Sequence, residues 1–262
     1  MFNILGKSFE TEKEYLQHIV DNEAFIIDTK KSKMKMADAF MSNVVAVNKT
    51  IGKVQKAADQ DVKELLVKAI INTTNVIDSH EDMHVKGIWD KSLSERGDNI
   101  MHLQEHKHSF DSVIARGEDL KAYVEDVTWK ALGFDMEGKT QALTFDSLVK
   151  EEENPFMFKQ YSKGNVTEHS VGMQYVKMAT CIDDDDYPEF KENWDKYSPM
   201  VANKDVLETT KVFWAVTEAK VIEGSAVLMG SNSFTPTVST QTKELTQKEI
   251  NEIAVKEWLE IK

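Results

Sequence analysis

The sequence of 262 residues predicts an α+β fold, in which a β-rich body lies between helical ends. Capping-box patterns, with a Glu three residues after a Thr, occur at Thr11 and Thr246 and indicate helix starts. The middle of the chain holds runs of β-branched residues, which are typical of strands. We therefore divide the chain into a helical N-terminal arm at 1–60, a β-rich domain at 61–237, and a linker with a C-terminal helix at 238–262.

The net charge and the cysteine content limit which partners and which cellular compartment we expect for this protein. The chain carries 32 basic and 45 acidic residues, a formal net charge of −13. Nucleic acid and anionic lipid attract basic surfaces, so this charge argues against both classes of partner. Because Cys181 is the single cysteine, no intrachain disulfide can form, and we expect a reducing compartment. The sequence also shows no signal-peptide pattern and no apolar run of the roughly 18 residues that a membrane span needs, so we expect a soluble protein.

The N-terminal arm is predicted to be helical. An amphipathic helix is expected over Phe9–Val20, with Thr11 as its N-cap and Glu14 completing the capping box. Residues 25–47 follow with a basic patch and an Ala/Met/Val pattern of helical type. We expect this segment to be joined to the main domain.

The first half of the body is predicted to alternate between strands and short connections. The β-branched run 65–77 predicts a strand, 79–87 a loop and 88–97 a short helix. Residues 99–106 are expected to form the next strand. In 112–133 the pattern predicts two strands around a turn at Gly117.

The second half of the body adds helices and a hairpin. Residues 141–164 are predicted to be helical, and Pro155 either breaks this helix or begins a second one as its first residue. A strand is expected over 165–180, followed by an acidic insertion around 183–195 that we interpret as a surface excursion. Residues 206–229 predict a β-hairpin. The Ser/Thr-rich stretch at 231–243 is typical of a linker.

One short motif suggests metal chemistry. His80-Glu81-Asp82-Met83-His84 matches the HExxH pattern, in which one helical turn presents two His to zinc and Glu activates water. Here the motif follows a β-branched run and is followed closely by Gly87, a context that favours a polar loop. A zinc hydrolase using His80, Glu81 and His84 is therefore a minor hypothesis.

Three other groups of residues suggest nucleophilic catalysis. His102, Glu105, His106 and His108 form a cluster, and in a strand the three His share one face. Ser170 precedes Gly172, which permits close backbone approach. Glu218 and Glu223 are carboxylates in an otherwise apolar strand. A buried carboxylate needs a partner, and a His that it orients is a natural one.

The order of these pieces resembles a known family. The first piece is Asp78–Trp89, a polar turn that leads through Gly87 into a helix, and the second is Leu103-Gln104-Glu105-His106, an apolar run that ends in a His. The third is the serine-containing strand His169-Ser170-Val171-Gly172-Met173. The fourth is the closing strand Glu218–Ile222, with Gly224, Asn232 and Thr235 beyond it. Together they resemble the caudoviral (HK97-like) prohead maturation proteases, which share a fold with the herpesvirus assembly proteases. The resemblance covers about residues 65–237.

The resemblance implies a serine endopeptidase with a β-barrel-like body, surrounding helices and no cofactor or metal. Ser170 matches the nucleophile, His106 the general base and Glu218 the residue that orients the base. Backbone N–H groups near the nucleophile or in 115–117 would stabilise the oxyanion. The implied substrates are the scaffold and major capsid protein, and the chain's own ends, inside the procapsid in the host cytoplasm. A homodimer or an oligomer formed on assembly is the expected state.

Departures from the family pattern leave alternatives open. The pair Ile114-Ala115 stands where the family has Ile-Gly, and its spacing fits His108 as well as His106. The family carboxylate is often followed by Val-Ser, whereas Glu218 is followed by Ala-Lys, so Glu223 is kept as an alternate. A second hypothesis is a catalytically inactive capsid or scaffold component with the same body. Under the protease hypothesis, 231–243 is expected to be an accessible cleavage site.

Overall fold

A computed structural model describes residues 2–32 and 62–242, and it confirms the α+β class. The strands are β1 Phe2–Ile4, β2 Lys7–Phe9, β3 Glu64–Thr73, β4 Asp82–His84, β5 Met101–Gln104, β6 Val113–Arg116, β7 Leu120–Thr128, β8 Lys139–Lys150, β9 Glu168–Ile182, β10 Val212–Val227 and β11 Thr237–Thr242. The helices are α1 Glu12–Asp21, α2 Glu23–Ser32, α3 Asp90–Arg96, α4 Pro155–Ser162, α5 Pro188–Tyr197 and α6 Lys204–Leu207.

Two open sheets form the body. In the first sheet β10 pairs with β9 in antiparallel fashion along its length, and with β4 and β5 in parallel fashion on its other edge; β6 follows β5. The second sheet has the order β11-β3-β8-β7 and is antiparallel throughout. Within the described ranges these sheets do not close, so the predicted barrel-like body is a pair of packed sheets.

The two sheets pack face to face around the main apolar core. Gly224 of β10 marks their closest approach, because a Cβ there would lie 2.5 Å from the Phe145 ring and 2.7 Å from Ile71. Both of those residues belong to the second sheet and are fully buried. Alternate residues of β10 therefore face this core, and those between them face outward.

The N-terminal segment packs against the body. The predicted capping box of α1 is confirmed, since Thr11 Oγ1 accepts from Glu14 N at 3.2 Å and Glu14 Oε2 accepts from Thr11 N at 3.3 Å. Apolar residues of α1 and α2, including Ile19 and Ile26, share one buried cluster with Trp214 of β10. The remainder of the predicted arm, 33–60, lies outside the described residues.

Two predicted elements differ in type. Residues 139–150 form strand β8 rather than a helix, because pairing with β3 and β7 on both edges overrides local preference. Pro155 begins α4, and Asn154 caps it by accepting from Met157 N at 3.0 Å. The predicted hairpin at 206–229 is the helix α6 followed by the single strand β10, in which β-bulges replace the turn.

The predicted linker is wrong within its described part. Residues 237–242 form β11 on the edge of β3, and Asn232 and Thr235 in the preceding turn are buried. The acidic insertion contains α5, which buries its aromatic residues against the body instead of projecting from the surface. The predicted pair of strands around Gly117 is confirmed as β6 and β7. Thr246, Glu249 and the predicted C-terminal helix lie outside the described residues.

Candidate active site

A sharp reversal after β5 places His106 over the outer face of the first sheet. Glu105 and His106 have φ values of 53° and 55°, a left-handed conformation that costs non-glycine residues free energy and is concentrated at functional sites. Two hydrogen bonds to the end of β10 hold the turn: Glu105 N donates to Ala226 O at 2.9 Å, and His106 N donates to Ser225 Oγ at 3.0 Å.

Glu223 of β10 fixes the imidazole of His106. Glu223 Oε1 lies 2.5 Å from His106 Nδ1, and the Glu223 side chain is 1% exposed. Its other oxygen, Oε2, accepts a hydrogen bond from Ser225 Oγ at 2.6 Å. An ionised carboxylate only accepts hydrogen bonds, so the proton of a neutral His106 belongs on Nδ1 and the lone pair on Nε2. His106 Nε2 is buried and has no hydrogen-bond partner among the described residues.

Ser170 lies on the neighbouring strand, directly opposite Ser225. The antiparallel register of β9 and β10 pairs Ser170 with Ser225 and Gly172 with Glu223, so all four residues point to the same face. Ser170 is 6% exposed, and no side-chain hydrogen bond joins it to a residue of the described ranges. The register therefore places Ser170 on the same face of the sheet as Glu223, whose carboxylate contacts His106.

Gly172 makes room for the carboxylate. A Cβ at this position would lie 1.9 Å from Glu223 Oε1 and 2.7 Å from Cδ, well inside van der Waals contact. Only glycine at this position lets Glu223 lie flat across β9 and reach His106. The sequence predicts close backbone approach at Gly172, and the group that comes close to it is the side chain of Glu223.

The structure does not bring Glu218 to His106. Glu218 is held by two surface lysines: Oε1 is 3.3 Å from Lys91 Nζ and Oε2 is 2.5 Å from Lys177 Nζ. Hydrogen bonds from Lys177 and Lys91 lower the pKa of the Glu218 carboxyl. Of the two carboxylates considered from the sequence, the alternate Glu223 is the one beside His106. Glu223 is followed by Gly224-Ser225, which keeps the serine of the family's Val-Ser pattern and is the signal that could have selected it.

The alternate base, His108, is exposed in the loop that follows His106 and has no hydrogen-bonded partner within the described ranges. His102 is also separate from His106. The prediction that the three His share one face is wrong, because β5 ends at Gln104 and the left-handed turn reverses the chain.

His102 belongs to a second polar cluster on the inner face of the sheet. Its Nδ1 is 2.8 Å from Ser147 Oγ and its Nε2 is 3.2 Å from Tyr161 Oη. The same Tyr161 Oη is 3.0 Å from His169 Nε2, and His169 Nδ1 is 3.2 Å from Thr235 O. Burial, together with the neighbouring His169, lowers the pKa of His102 well below its usual value. This inner cluster has a partner for every ring nitrogen.

The HExxH motif does not form a zinc site. Asp82–His84 is the buried strand β4, so the two His of the motif do not share a helical face, and this hypothesis is wrong. Across residues 2–32 and 62–242, no group of three or more His, Cys, Asp or Glu side chains is arranged to hold a metal ion. Burial raises the pKa of the Glu81 carboxyl to about 6.

Comparison with known proteins adds no relative. The chain matches no protein-family model, and no curated protein and no solved structure is similar to it. None of the helices in the described ranges is long and apolar enough to cross a membrane. Any inference about function therefore rests on the chemistry and geometry of His106, Glu223 and Ser170 and on the motif resemblance.

Proposed function

We propose that the chain is a serine endopeptidase of the prohead-maturation type, with Ser170 as nucleophile, His106 as general base and Glu223 as the residue that orients the base. The observation that carries this proposal is the buried His106–Glu223 pair. Its Nε2 has no partner in the described chain, and it shares one face of the sheet with Ser170 on the next strand. The motif resemblance supports the same choice of nucleophile and base.

The chemistry follows from the hydrogen bonds at the site. Ser170 Oγ attacks the carbonyl carbon of the scissile peptide bond while its proton passes to His106 Nε2. Glu223 accepts the Nδ1 proton of His106 and stabilises the imidazolium that forms. As the tetrahedral intermediate collapses, His106 gives the proton to the leaving amine, and the C–N bond breaks. His106 then takes a proton from the water that hydrolyses the Ser170 ester, and returns it to Ser170.

Ser225 has a supporting role in this mechanism. It donates to Glu223 Oε2 and accepts from His106 N, so it fixes the carboxylate and the turn that carries the base. We assign the oxyanion donors to backbone N–H groups near Ser170 or in 115–117, where β6 ends beside β5.

The proposed substrates are the scaffold and major capsid protein, cut within the assembling procapsid in the host cytoplasm. The protease is proposed to act as a homodimer or as an oligomer formed on assembly, and to process its own ends. The stretch 231–242 is a poor self-cleavage site, because its turn is buried and β11 is paired with β3. A protease must engage an extended, unpaired backbone.

The proposal is tested by coexpressing the chain with the scaffold and major capsid proteins of the same phage and measuring all intact masses. Wild type is expected to shorten the capsid protein, and Ser170→Ala is expected to leave it at full length. Ser94→Ala removes a comparable hydroxyl from an exposed helical position and should process like wild type. Identical full-length masses with wild type and Ser170→Ala would overturn the proposal and favour an inactive capsid or scaffold component.

A further inference from the structure

Lys30, near the end of α2, anchors the N-terminal segment to the body. Its Nζ is 2.7 Å from Asp82 Oδ1, donates to the His80 carbonyl oxygen at 3.1 Å, and lies 3.9 Å from the ring centroid of Trp214. The Lys30 side chain is 11% exposed, and Asp82 is fully buried. Removing either member of such an ion pair leaves the other charge buried and uncompensated. This contact therefore fixes the position of the segment.

A chain of buried polar side chains continues inward from Asp82. Tyr175 Oη donates to Asp82 Oδ2 at 3.0 Å and lies 3.0 Å from His84 Nε2. His84 Nδ1 is 3.3 Å from Asn72 Oδ1. All four side chains are buried. Because Tyr175 belongs to β9, the anchor of the N-terminal segment reaches the strand that carries Ser170.

The far end of this series of hydrogen bonds makes a second attachment to β9. Asn232 Nδ2 donates to Asn72 Oδ1 at 2.7 Å. Thr235 Oγ1 donates to the carbonyl oxygens of Asn232, at 3.1 Å, and of His169, at 2.7 Å. His169 N in turn donates to Thr235 O at 3.1 Å. The two attachments to β9, at His169 and Tyr175, flank Ser170 in the sequence.

We propose that the N-terminal segment Phe2–Ser32 is an activating element of the site. Docked through Lys30, it keeps β9 in the position that places Ser170 on the same face of the sheet as the His106–Glu223 pair, and its release lowers the reactivity of Ser170. Lys30 is a positioning residue, because it acts through Asp82 and touches neither the substrate nor the reacting atoms. The inference rests on the proposed function. It implies that self-removal of this segment would attenuate the protease.

The test compares Lys30→Met with Lys31→Met in the full-length protein. Both variants remove a lysine charge from adjacent positions of α2, but no salt bridge within the described ranges involves Lys31. Hydrogen exchange of peptides covering 168–175 is measured, together with the rate at which a fluorophosphonate labels Ser170. For Lys30→Met we expect exchange about tenfold faster and labelling about tenfold slower, which is a typical coupling between distant sites. Lys31→Met should change neither by more than about twofold.

Further variants keep the test decisive. If Lys30→Met does not fold, the double variant Lys30→Met/Asp82→Asn removes both charges and should show the same faster exchange and slower labelling. Lys30→Arg keeps the positive charge and should have the exchange and labelling rates of wild type. Faster exchange confined to 12–32, with 168–175 and labelling unchanged, would overturn the inference. Exchange does not depend on catalysis. If wild type is not labelled at Ser170, the proposed function fails, while the exchange of 168–175 still decides whether Lys30 holds β9.

Discussion

Two polar clusters that contain histidine lie on opposite faces of the first sheet. On the inner face, His102 and His169 are fully buried, and each ring nitrogen has a hydrogen-bond partner. On the outer face, His106 pairs with Glu223 through Nδ1, and its Nε2 has no partner in the described chain. Both clusters contain histidine, but they differ in how many of the imidazole nitrogens have hydrogen-bond partners and in how deeply the side chains are buried.

The difference separates a structural cluster from the one that we propose to be reactive. Complete hydrogen bonding and a lowered pKa keep His102 neutral and unable to accept a further proton without breaking a bond. His106 has a carboxylate to stabilise its charged form and an imidazole nitrogen to receive a proton. The presence of histidine in the sequence did not distinguish the two clusters. They are distinguished by the face of the sheet on which each one lies.

The largest expected effect comes from the serine of the outer face. Ser170→Ala should lower the rate of the proposed capsid-protein cleavage by about 10⁴-fold or more, because the proposed nucleophile is lost. Ser147→Ala removes the serine that contacts His102 of the inner cluster and should leave the rate per folded molecule within about twofold. Cleavage rates, corrected for the folded fraction by circular dichroism, decide between these outcomes. Equal losses in both variants would erase the distinction between the clusters.

The second comparison sets Glu223→Gln against Glu218→Gln on the same strand. Glu223→Gln should reduce the cleavage rate by about 10³–10⁴-fold, because a Gln amide no longer fixes the Nδ1 proton of His106 or stabilises its charge. Glu218→Gln should stay within about twofold, because Glu218 pairs with surface lysines. A greater loss in Glu218→Gln would restore Glu218 as the orienting residue. Labelling of Ser170 by a fluorophosphonate provides the rates.

Gly172→Ala tests the space that the outer cluster requires. The new methyl group overlaps Glu223 Oε1, so the carboxylate must shift by about 1 Å, which should slow labelling about 100-fold. Gly97→Ala is the matched control, because nothing lies within 4 Å of a Cβ there. Labelling at the wild-type rate in Gly172→Ala would show that the position of Glu223 is not critical.

Ser225→Ala should have a smaller effect on the same cluster. It removes the donor to Glu223 Oε2 and the acceptor of His106 N, and we expect labelling to slow about tenfold, in line with a lost hydrogen bond to a charged group. Unfolding measured in urea serves as the control for stability. Reduced stability with an unchanged labelling rate would make Ser225 a packing residue only.

The smallest effect concerns the inner cluster and pH. The folded-state pKa of His102 is lowered, so its contribution to stability is present above about pH 6.5 and is lost as the pH falls and the unfolded state takes up a proton. The free energy of unfolding should therefore fall between about pH 7.5 and 5.5 as the unfolded state takes up this proton. His102→Gln should reduce this fall, measured by urea unfolding, and His108→Gln, at an exposed position, should not. If the free energy of unfolding had the same pH dependence in His102→Gln and in wild type, the contribution of His102 would be contradicted.

Local chemistry made several elements predictable from the sequence. The capping box at Thr11, the turn at Gly117 and the start of α4 at Pro155 depend on residues close in the chain, and all three are found. Strand β8 was missed because its identity depends on pairing with β3 and β7. The resemblance selected Ser170 and His106, which the structure brings to one face of the sheet.

The serine two residues after Glu223 is a sequence signal that separates it from Glu218, whereas the contact of Glu223 with His106 depends on long-range pairing in which β10 has three register shifts against β9. Each bulge changes which residues face outward, so counting alternate positions from Ser225 gives the face of Glu223 but not that of Glu218. The contacts of Gly172 and Ser225 with Glu223 were recognisable only once the register was known. The folded inner cluster depends on contacts between residues far apart in the chain, such as His102 with Tyr161.

The most direct test of the outer cluster as the reactive site is mass spectrometry of the full-length protein after treatment with a fluorophosphonate, followed by peptide mapping. The account predicts one adduct, located on Ser170 in wild type and strongly reduced in Glu223→Gln. An absent adduct, or an adduct on another serine that persists in Ser170→Ala, would contradict it.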